Sequence, residues 1–272
     1  MSTLLYIYIY LYLYIARVVL IHKKGNTEDP INYRPIAVLN SEYKILTSAV
    51  TELITENLAD WMIPQEQLAR KNVWGTTHGL LWDKACTQAA KISRSTNYSI
   101  WYDFSKAYDS VSHVQLRRLV NSLPVHVEVR NLIKNMMIKW AVIIEVGKTK
   151  IPAIRVKRGV YQGDSMSSLL FILSTAYIIN SIKTNFEITK AAKGKQQIMT
   201  YMDGIKVHAP NKKAADLITE KLKKTAADLS LALNIQKCEI FNNKEQEADN
   251  DIEDNDEEIS FLPITRDHYK YL

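Results

Sequence analysis

The sequence predicts an α+β fold in which an antiparallel sheet is backed by helices. Three observations carry that expectation. Ile100–Phe104 alternates, with Ile100, Tyr102 and Phe104 on one side and Trp101 and Asp103 on the other, the period of a half-buried strand. Two short β-prone runs, Ile198–Met202 and Ile205–His208, flank Asp203-Gly204, the strongest short-range hairpin signal. Amphipathic stretches fall between and after them, so the order reads strand, helix, hairpin, helix, strand.

Each of these strands delivers a carboxylate. Asp103 lies on the less apolar face, where Ser105-Lys106-Ala107 breaks the alternation, and Asp203 lies at the hairpin tip. Oxygen ligands of this kind hold hard cations such as Mg²⁺, and two of them on adjacent strands can share ions that bind a triphosphate. Plainer alternatives stay open on local chemistry alone. An Asp at a strand end is most often a solvated turn residue, and Asp-Gly makes a good turn without any metal.

Leu4–Ile15 alternates Tyr with Leu or Ile. It is short for a membrane span, is rich in Tyr and is followed by Arg17, so no stable membrane association is expected. Residues 1–16 read as a low-complexity segment without an evolved function. Asn40 offers an N-cap to a helix whose stripe runs Tyr43, Leu46, Val50, Leu53, Ile54, Leu58 and Trp61, before Pro64. A second helix is expected over about Leu80–Ile92, after a looser stretch holding Gly75 and Gly79. Val114–Leu123 and Val129–Trp140 are amphipathic, and Ala141–Val146 with Ile151–Val156 reads as a hairpin. Ser167 is the expected cap of an apolar helix, Ser168–Ile182, and Ala214–Leu233 is an amphipathic helix with a basic face.

Composition is globular, and the formal net charge is +6. Glu245–Glu258 holds nine of the 29 acidic residues and no basic one, so 20 acids stand against 35 Lys and Arg elsewhere. That run reads as an acidic loop over 245–258, and the basic remainder favours a polyanionic partner. Two cysteines, Cys86 and Cys238, support neither a disulfide framework nor a zinc cluster. They read as reduced thiols of an intracellular protein, nuclear or cytoplasmic.

Six stretches then resemble, in order, the motifs of reverse transcriptases. Asp103–Val111 looks like their first catalytic motif, and Tyr201–Gly204 resembles their Tyr-Met-Asp-Asp hairpin with its last residue changed. Gly159–Phe171 resembles the Gln-Gly motif, with Ser168 where Pro is usual. Asn32–Ile36 is similar to the fingers motif of non-LTR (LINE-type) retrotransposons. Leu233–Glu239 and Tyr269–Leu272 look like the two motifs that close the palm.

The resemblance implies a right-hand polymerase, with a low-complexity segment over 1–16 and the reverse transcriptase domain over 17–272. Fingers would occupy roughly 17–98 and palm roughly 99–272, with a fingers-like insertion at about 115–157. It implies two Mg²⁺ ions, or Mn²⁺, on Asp103, Asp203 and the carbonyl of Phe104. Lys24 (or Lys23) and Arg34 would meet the triphosphate, Tyr108 the sugar, and Gln162 and Gly163 the nucleotide. Lys237 would act as general acid, and Tyr201, Met202 and Tyr269 would contact the primer. Implied partners are an RNA template, a DNA primer and deoxynucleoside triphosphates. Gly204 stands where relatives carry a further carboxylate, and the chain stops at Leu272 where relatives continue into a thumb. A truncated, degenerate copy is therefore expected, with a remnant that only binds nucleic acid as the alternative.

Overall fold

A computed structural model describes residues 12–70, 73–146 and 149–244. In chain order the elements are β1 (Ile15–His22), β2 (Tyr33–Val38), α1 (Ser41–Asn57), α2 (Gly75–Ile92), β3 (Tyr98–Tyr102) and a short α3 (Ala107–Ser110). There follow α4 (His113–Ser122), α5 (Val127–Lys139), β4 (Ala141–Val146), β5 (Thr149–Arg155) and α6 (Ser165–Lys183). The series ends with α7 (Phe186–Ala192), β6 (Gln197–Tyr201), β7 (Gly204–Ala209), α8 (Lys212–Asp228) and β8 (Glu239–Asn242). The acidic run lies outside the described residues.

The chain divides into two compact units. One comprises the residues up to Ala59 together with Tyr108–Ser174. Its sheet has the order β2-β1-β4-β5. Both hairpins are antiparallel, but β1 and β4 run parallel, so this sheet is mixed. A parallel pair needs a long crossover, and here the chain reaches β4 through helices.

The core of this unit is aromatic. Trp140 and Tyr43 are fully buried, and the indole Nε1 donates to the Tyr43 hydroxyl at 2.8 Å. The Tyr161 hydroxyl shares its single hydrogen between the carbonyls of Tyr14 and Ala141, at 3.0 and 2.9 Å. Tyr14 and Ala16 are buried, so the end of the Tyr-rich run is part of the packed fold. Of the α1 stripe, Tyr43, Val50 and Ile54 turn inward with Thr47. Leu53 lies on the helix flank and stays 40% exposed, while Trp61 falls beyond the helix end and is 73% exposed. The Asn40 amide does not cap α1; it donates to the Tyr12 carbonyl at 2.8 Å.

The expected cap of α6 is also displaced. Asp164, not Ser167, closes its first turn, accepting from Ser167 N at 2.9 Å and Ser167 Oγ at 2.8 Å. A carboxylate there complements the helix dipole as well as the free N–H groups. α6 is long and apolar enough to cross a membrane, yet 72% of that stretch is buried, as in the core helix of a packed domain.

The other unit comprises Asp60–Ala107 and the chain from Thr175 onward. Its sheet, β6-β7-β3-β8, is antiparallel throughout, as the sequence predicts. Alternation on β3 sends Tyr102 toward α8, where its hydroxyl lies 2.7 Å from Thr219 Oγ1. Trp101 points the other way, toward α2. There Asp83 forms an ion pair with Lys206, whose ammonium lies 3.8 Å from the Trp101 ring centre. His208 Nε2 donates to Asp83 at 2.9 Å, leaving Nδ1 to accept from Asn97 and Ser99, both at 3.0 Å.

α2 begins five residues before its expected start because Gly79 is not a breaker. A Cβ on Gly79 would come within 3.0 Å of Leu68 Cδ1, so the glycine lets Leu68 pack against the helix. α8, in contrast, stops at Asp228 and not at Leu233, with Ser230 in the left-handed region at φ 64°.

Two outcomes follow from these cores. Burial raises the Asp83 carboxyl, but the hydrogen bonds from His208 and Lys206 outweigh it and hold the pKa below the usual carboxylate range. Removing Asp83 strands a buried ammonium. Asp83→Leu should therefore cost about 3–5 kcal/mol in urea unfolding, and adding Lys206→Met should recover most of that loss.

In the first unit, burial is the main cause that lowers the His113 pKa below its usual 6.5. The Gly159 carbonyl opposes it, and Arg117 adds to it. The unfolded chain then takes up the proton first, so the stability contributed is complete above 6.5 and is lost as pH falls through the lower folded value. Unfolding midpoints measured across that window should drop in the parent and stay flatter in His113→Gln.

Candidate active site

Asp103 follows the last paired residue of β3. Tyr102 pairs with Ile205 and Trp101 with Lys206, so the register continued by one residue sets Asp103 opposite Gly204. Directly opposed residues on antiparallel strands share a face. Asp103 is fixed from behind as well. Its carbonyl accepts from Asn234 N at 2.8 Å, and Ser105 N donates to Ala232 O at 2.8 Å. Phe104 forms a bridge with Leu233 between these two bonds.

The hairpin differs from the Asp-Gly expectation by one residue. Tyr201 pairs with Gly204, so the two-residue turn is Met202-Asp203 and Gly204 is the first residue of β7. The left-handed conformation falls on Met202, at φ 54°, which costs about 1–2 kcal/mol in a non-glycine residue. Gln67 holds it. This side chain is buried, its Oε1 accepts from Met202 N at 3.1 Å, and its Nε2 donates to Met202 O at 3.4 Å. The backbone beside Gln67 is pinned in turn to β6, with Leu68 N donating to Thr200 O and Thr200 N to Glu66 O, both at 2.8 Å.

Lys237 Nζ lies 2.8 Å from Asp103 Oδ2. The pair sits at ion-contact distance without the alignment of a hydrogen bond. An ammonium drawn to that oxygen shows that the site attracts positive charge, and the oxygen donors suit a hard cation. Among the described residues, no group of three or more His, Cys, Asp and Glu converges as a metal cluster. Asp103, Asp203 and the Phe104 carbonyl remain the donors expected from the sequence.

The residues expected around the nucleotide belong to the other unit. Tyr108 stacks on Phe171 with ring centres 4.4 Å apart and planes 14° apart. Gln162 Nε2 donates to Asp109 at 3.4 Å, and the Gln162 carbonyl accepts from Ala37 N at 3.3 Å. Gly163 adopts φ 106°, and Gly159 at φ 83° packs so closely on Tyr108-Asp109 that a Cβ would lie 2.7 Å from Asp109 Cα. Arg34 is exposed on β2 opposite Ile21, and Lys24 is exposed in the turn after β1. Asp164 is buried as the α6 cap. Tyr269 lies outside the described residues.

Asp103, Lys237 and the Met202-Asp203 turn are therefore brought to one end of one sheet. Tyr108, Gln162 and Gly163 gather separately beside β2. Gln67 escapes the sequence reading, and Gly159 enters it only as the first residue of the Gln-Gly stretch. A buried glutamine in a loop leaves no periodic signal, and the close approach of Gly159 to Tyr108-Asp109 shows only once both segments are placed.

A family model described as reverse transcriptase (RNA-dependent DNA polymerase) matches residues 21–272. The chain belongs to the reverse transcriptase family. Two curated relatives are retrovirus-related Pol polyproteins from type-1 retrotransposable element R2. The one from Popillia japonica is 29% identical over 156 residues, covering 57% of this chain and 22% of the polyprotein. The one from Nasonia vitripennis is 24% identical over 223 residues, covering 82% and 21%. This reverse transcriptase chain thus spans about a fifth of the length of those relatives.

Among solved structures, apo telomerase from Candida tropicalis matches with a TM-score of 0.64 and 13% identity, over 86% of this chain and 44% of that one. A form truncated from its C-terminal domain gives 0.61 and 15%, over 85% and 51%. At such identities the likeness is one of fold, and it agrees with the α+β reverse transcriptase architecture expected from the sequence.

The Gln67 clamp yields a test of the turn. Gln67→Ala should speed hydrogen exchange at the Met202 amide and lower stability by about 1–2 kcal/mol. Adding Met202→Gly, which relieves the left-handed strain, should return about 1 kcal/mol of it.

Proposed function

We propose that this chain is the polymerase domain of a non-LTR retrotransposon, adding deoxynucleotides to a primer 3′-hydroxyl on an RNA template. The observation that carries the reading is the β3–β7 register, which sets Asp103 across from Gly204 and beside the Met202-Asp203 turn. Asp103, Asp203 and the Phe104 carbonyl would hold Mg²⁺, or Mn²⁺ in its place. Such ions supply charge stabilisation for the attacking and leaving oxygens of an in-line displacement.

The remaining roles fall to this chain's side chains. Tyr108, backed by Phe171, would present a rigid ring to the sugar and exclude a 2′-hydroxyl. Gln162 and Gly163 would meet the nucleotide, with Lys24 and Arg34 at its phosphates, where a guanidinium can bind two oxygens at once. Tyr201 and Met202 would lie against the primer end. Lys237 would release Asp103 and give its proton to the departing pyrophosphate, the role of a general acid.

Gly204 favours a second reading, a chain that binds primer–template but does not extend it. The measurement that decides is primer extension on an RNA template with Mg²⁺ or Mn²⁺, alongside binding of the hybrid. Asp103→Asn should lower extension by about a hundredfold or more, through loss of metal-borne charge stabilisation, with hybrid binding retained. Gly204→Asp should raise extension about tenfold, by restoring a charged oxygen on the face of Asp103. Equal extension by the parent and Gly204→Asp, both folded and both bound to hybrid, would reject the role assigned to the missing carboxylate.

A further inference from the structure

The sheet that ends at Asp103 and Asp203 has a groove at its other end. This groove, of about 870 Å³, opens between α2 and the chain entering β6, lined in part by Trp74, His78, Trp82, Asn97, Lys195 and His208. β7 runs from Gly204 to Ala209, so His208 lies about 13 Å along the strand from Gly204, at about 3.3 Å per residue.

Two features of the groove are independent of the carboxylates. The first is aromatic. Trp74 is 80% exposed and Trp82 45% exposed, and the His78 and Trp82 rings lie 6.0 Å apart at 31°. Large exposed rings in a concave site are matched to flat partners. The second is charge. Arg94 is exposed between Ser93 and Ser95, two residues of the lining, whereas Lys84 and Lys91 project from the opposite face of α2. The one acid of Gly75–Ser95, Asp83, is taken up in the buried pair with Lys206. Across the groove Lys195 belongs to the lining, and the segment leading to it, Phe186–Gly194, carries Lys190 and Lys193 against Glu187 alone. Aromatic faces beside the exposed charges of Arg94, Lys193 and Lys195 fit a chain of alternating bases and phosphates.

We propose that this groove binds a few nucleotides of single-stranded nucleic acid, with bases on Trp74 and Trp82 and phosphates toward the flanking lysines. A double helix keeps its bases stacked on one another and offers no base face to a tryptophan. Stacking on aromatic side chains is, in contrast, the common means of holding single strands without sequence preference. The proposal rests on the polymerase reading only in taking a polynucleotide as ligand. It requires neither a metal ion nor Asp103.

The test is anisotropy of a short fluorescent oligothymidylate with the whole chain in EDTA, titrated at several salt concentrations. The parent should bind, and more weakly as salt rises. Trp74→Ala with Trp82→Ala should weaken binding about tenfold, within the range expected for lost base stacking, with an unchanged salt slope. Trp74→Ala alone, at a residue so exposed that folding does not depend on it, should show part of that loss. Lys193→Glu with Lys195→Glu should weaken binding and flatten the salt slope. Lys212→Ala with Lys213→Ala, on the first turn of α8, is the control for general basic attraction.

A parent that does not bind the oligonucleotide overturns the proposal. So do tryptophan variants that bind as the parent does, or α8 variants that lose as much as the tryptophan pair. Failure of hybrid binding and primer extension with oligonucleotide binding intact would sink the polymerase reading and leave the groove standing.

Discussion

The antiparallel pairing of β3 with β7 is the constraint on which the rest of the site depends. Side chains on a strand alternate, so a slip of one residue would send Asp103 to the face that packs α8 and bring Tyr102 out in its place. Packing on both faces forbids the slip. Tyr102 is held by Thr219 on one side, and Trp101 by the Lys206 ammonium on the other. The carboxylate is thus placed by residues that have no part in any reaction.

The turn beside it is fixed differently. Met202 occupies a conformation that an isolated chain would avoid, and the buried Gln67 amide bonds both its N–H and its carbonyl. Backbone strain of this kind persists only where surroundings over-determine it. The device is complete within one unit: segment 66–68 is tied to β6 by backbone bonds, and its side chain then sets the tip that carries Asp203. A loop that looks unstructured in sequence therefore controls the geometry of the second carboxylate.

Much of this was legible in the residues. Alternation over Ile100–Phe104 located β3, and the apolar spacing of Tyr43, Val50 and Ile54 located α1. What escaped was decided by tertiary contacts. The turn fell on Met202-Asp203 because pairing of Tyr201 with Gly204 and the Gln67 clamp overrode the Asp-Gly preference. Asp164 displaced Ser167 as a cap because a carboxylate can accept from both the backbone and the hydroxyl of Ser167. Gly79 proved to be a site of close approach to Leu68 rather than a helix breaker, a distinction invisible without the partner. Asp83 lies 125 residues from His208 in sequence, and no local pattern announces that it meets Lys206 and His208.

Gly204 joins these threads. It opens β7 on the same face as Lys206 and His208, directly across from Asp103. A carboxylate at this position would enter a line of groups already balanced, with Asp83 meeting the charge of Lys206 and Lys237 meeting that of Asp103. Glycine leaves Asp103 with an ammonium as its nearest countercharge. An aspartate there would add a negative charge beside Asp103, and like charges so close favour uptake of a cation. The local field, and not only the number of ligands, thus sets how strongly this end of the sheet draws a metal ion in competition with Lys237.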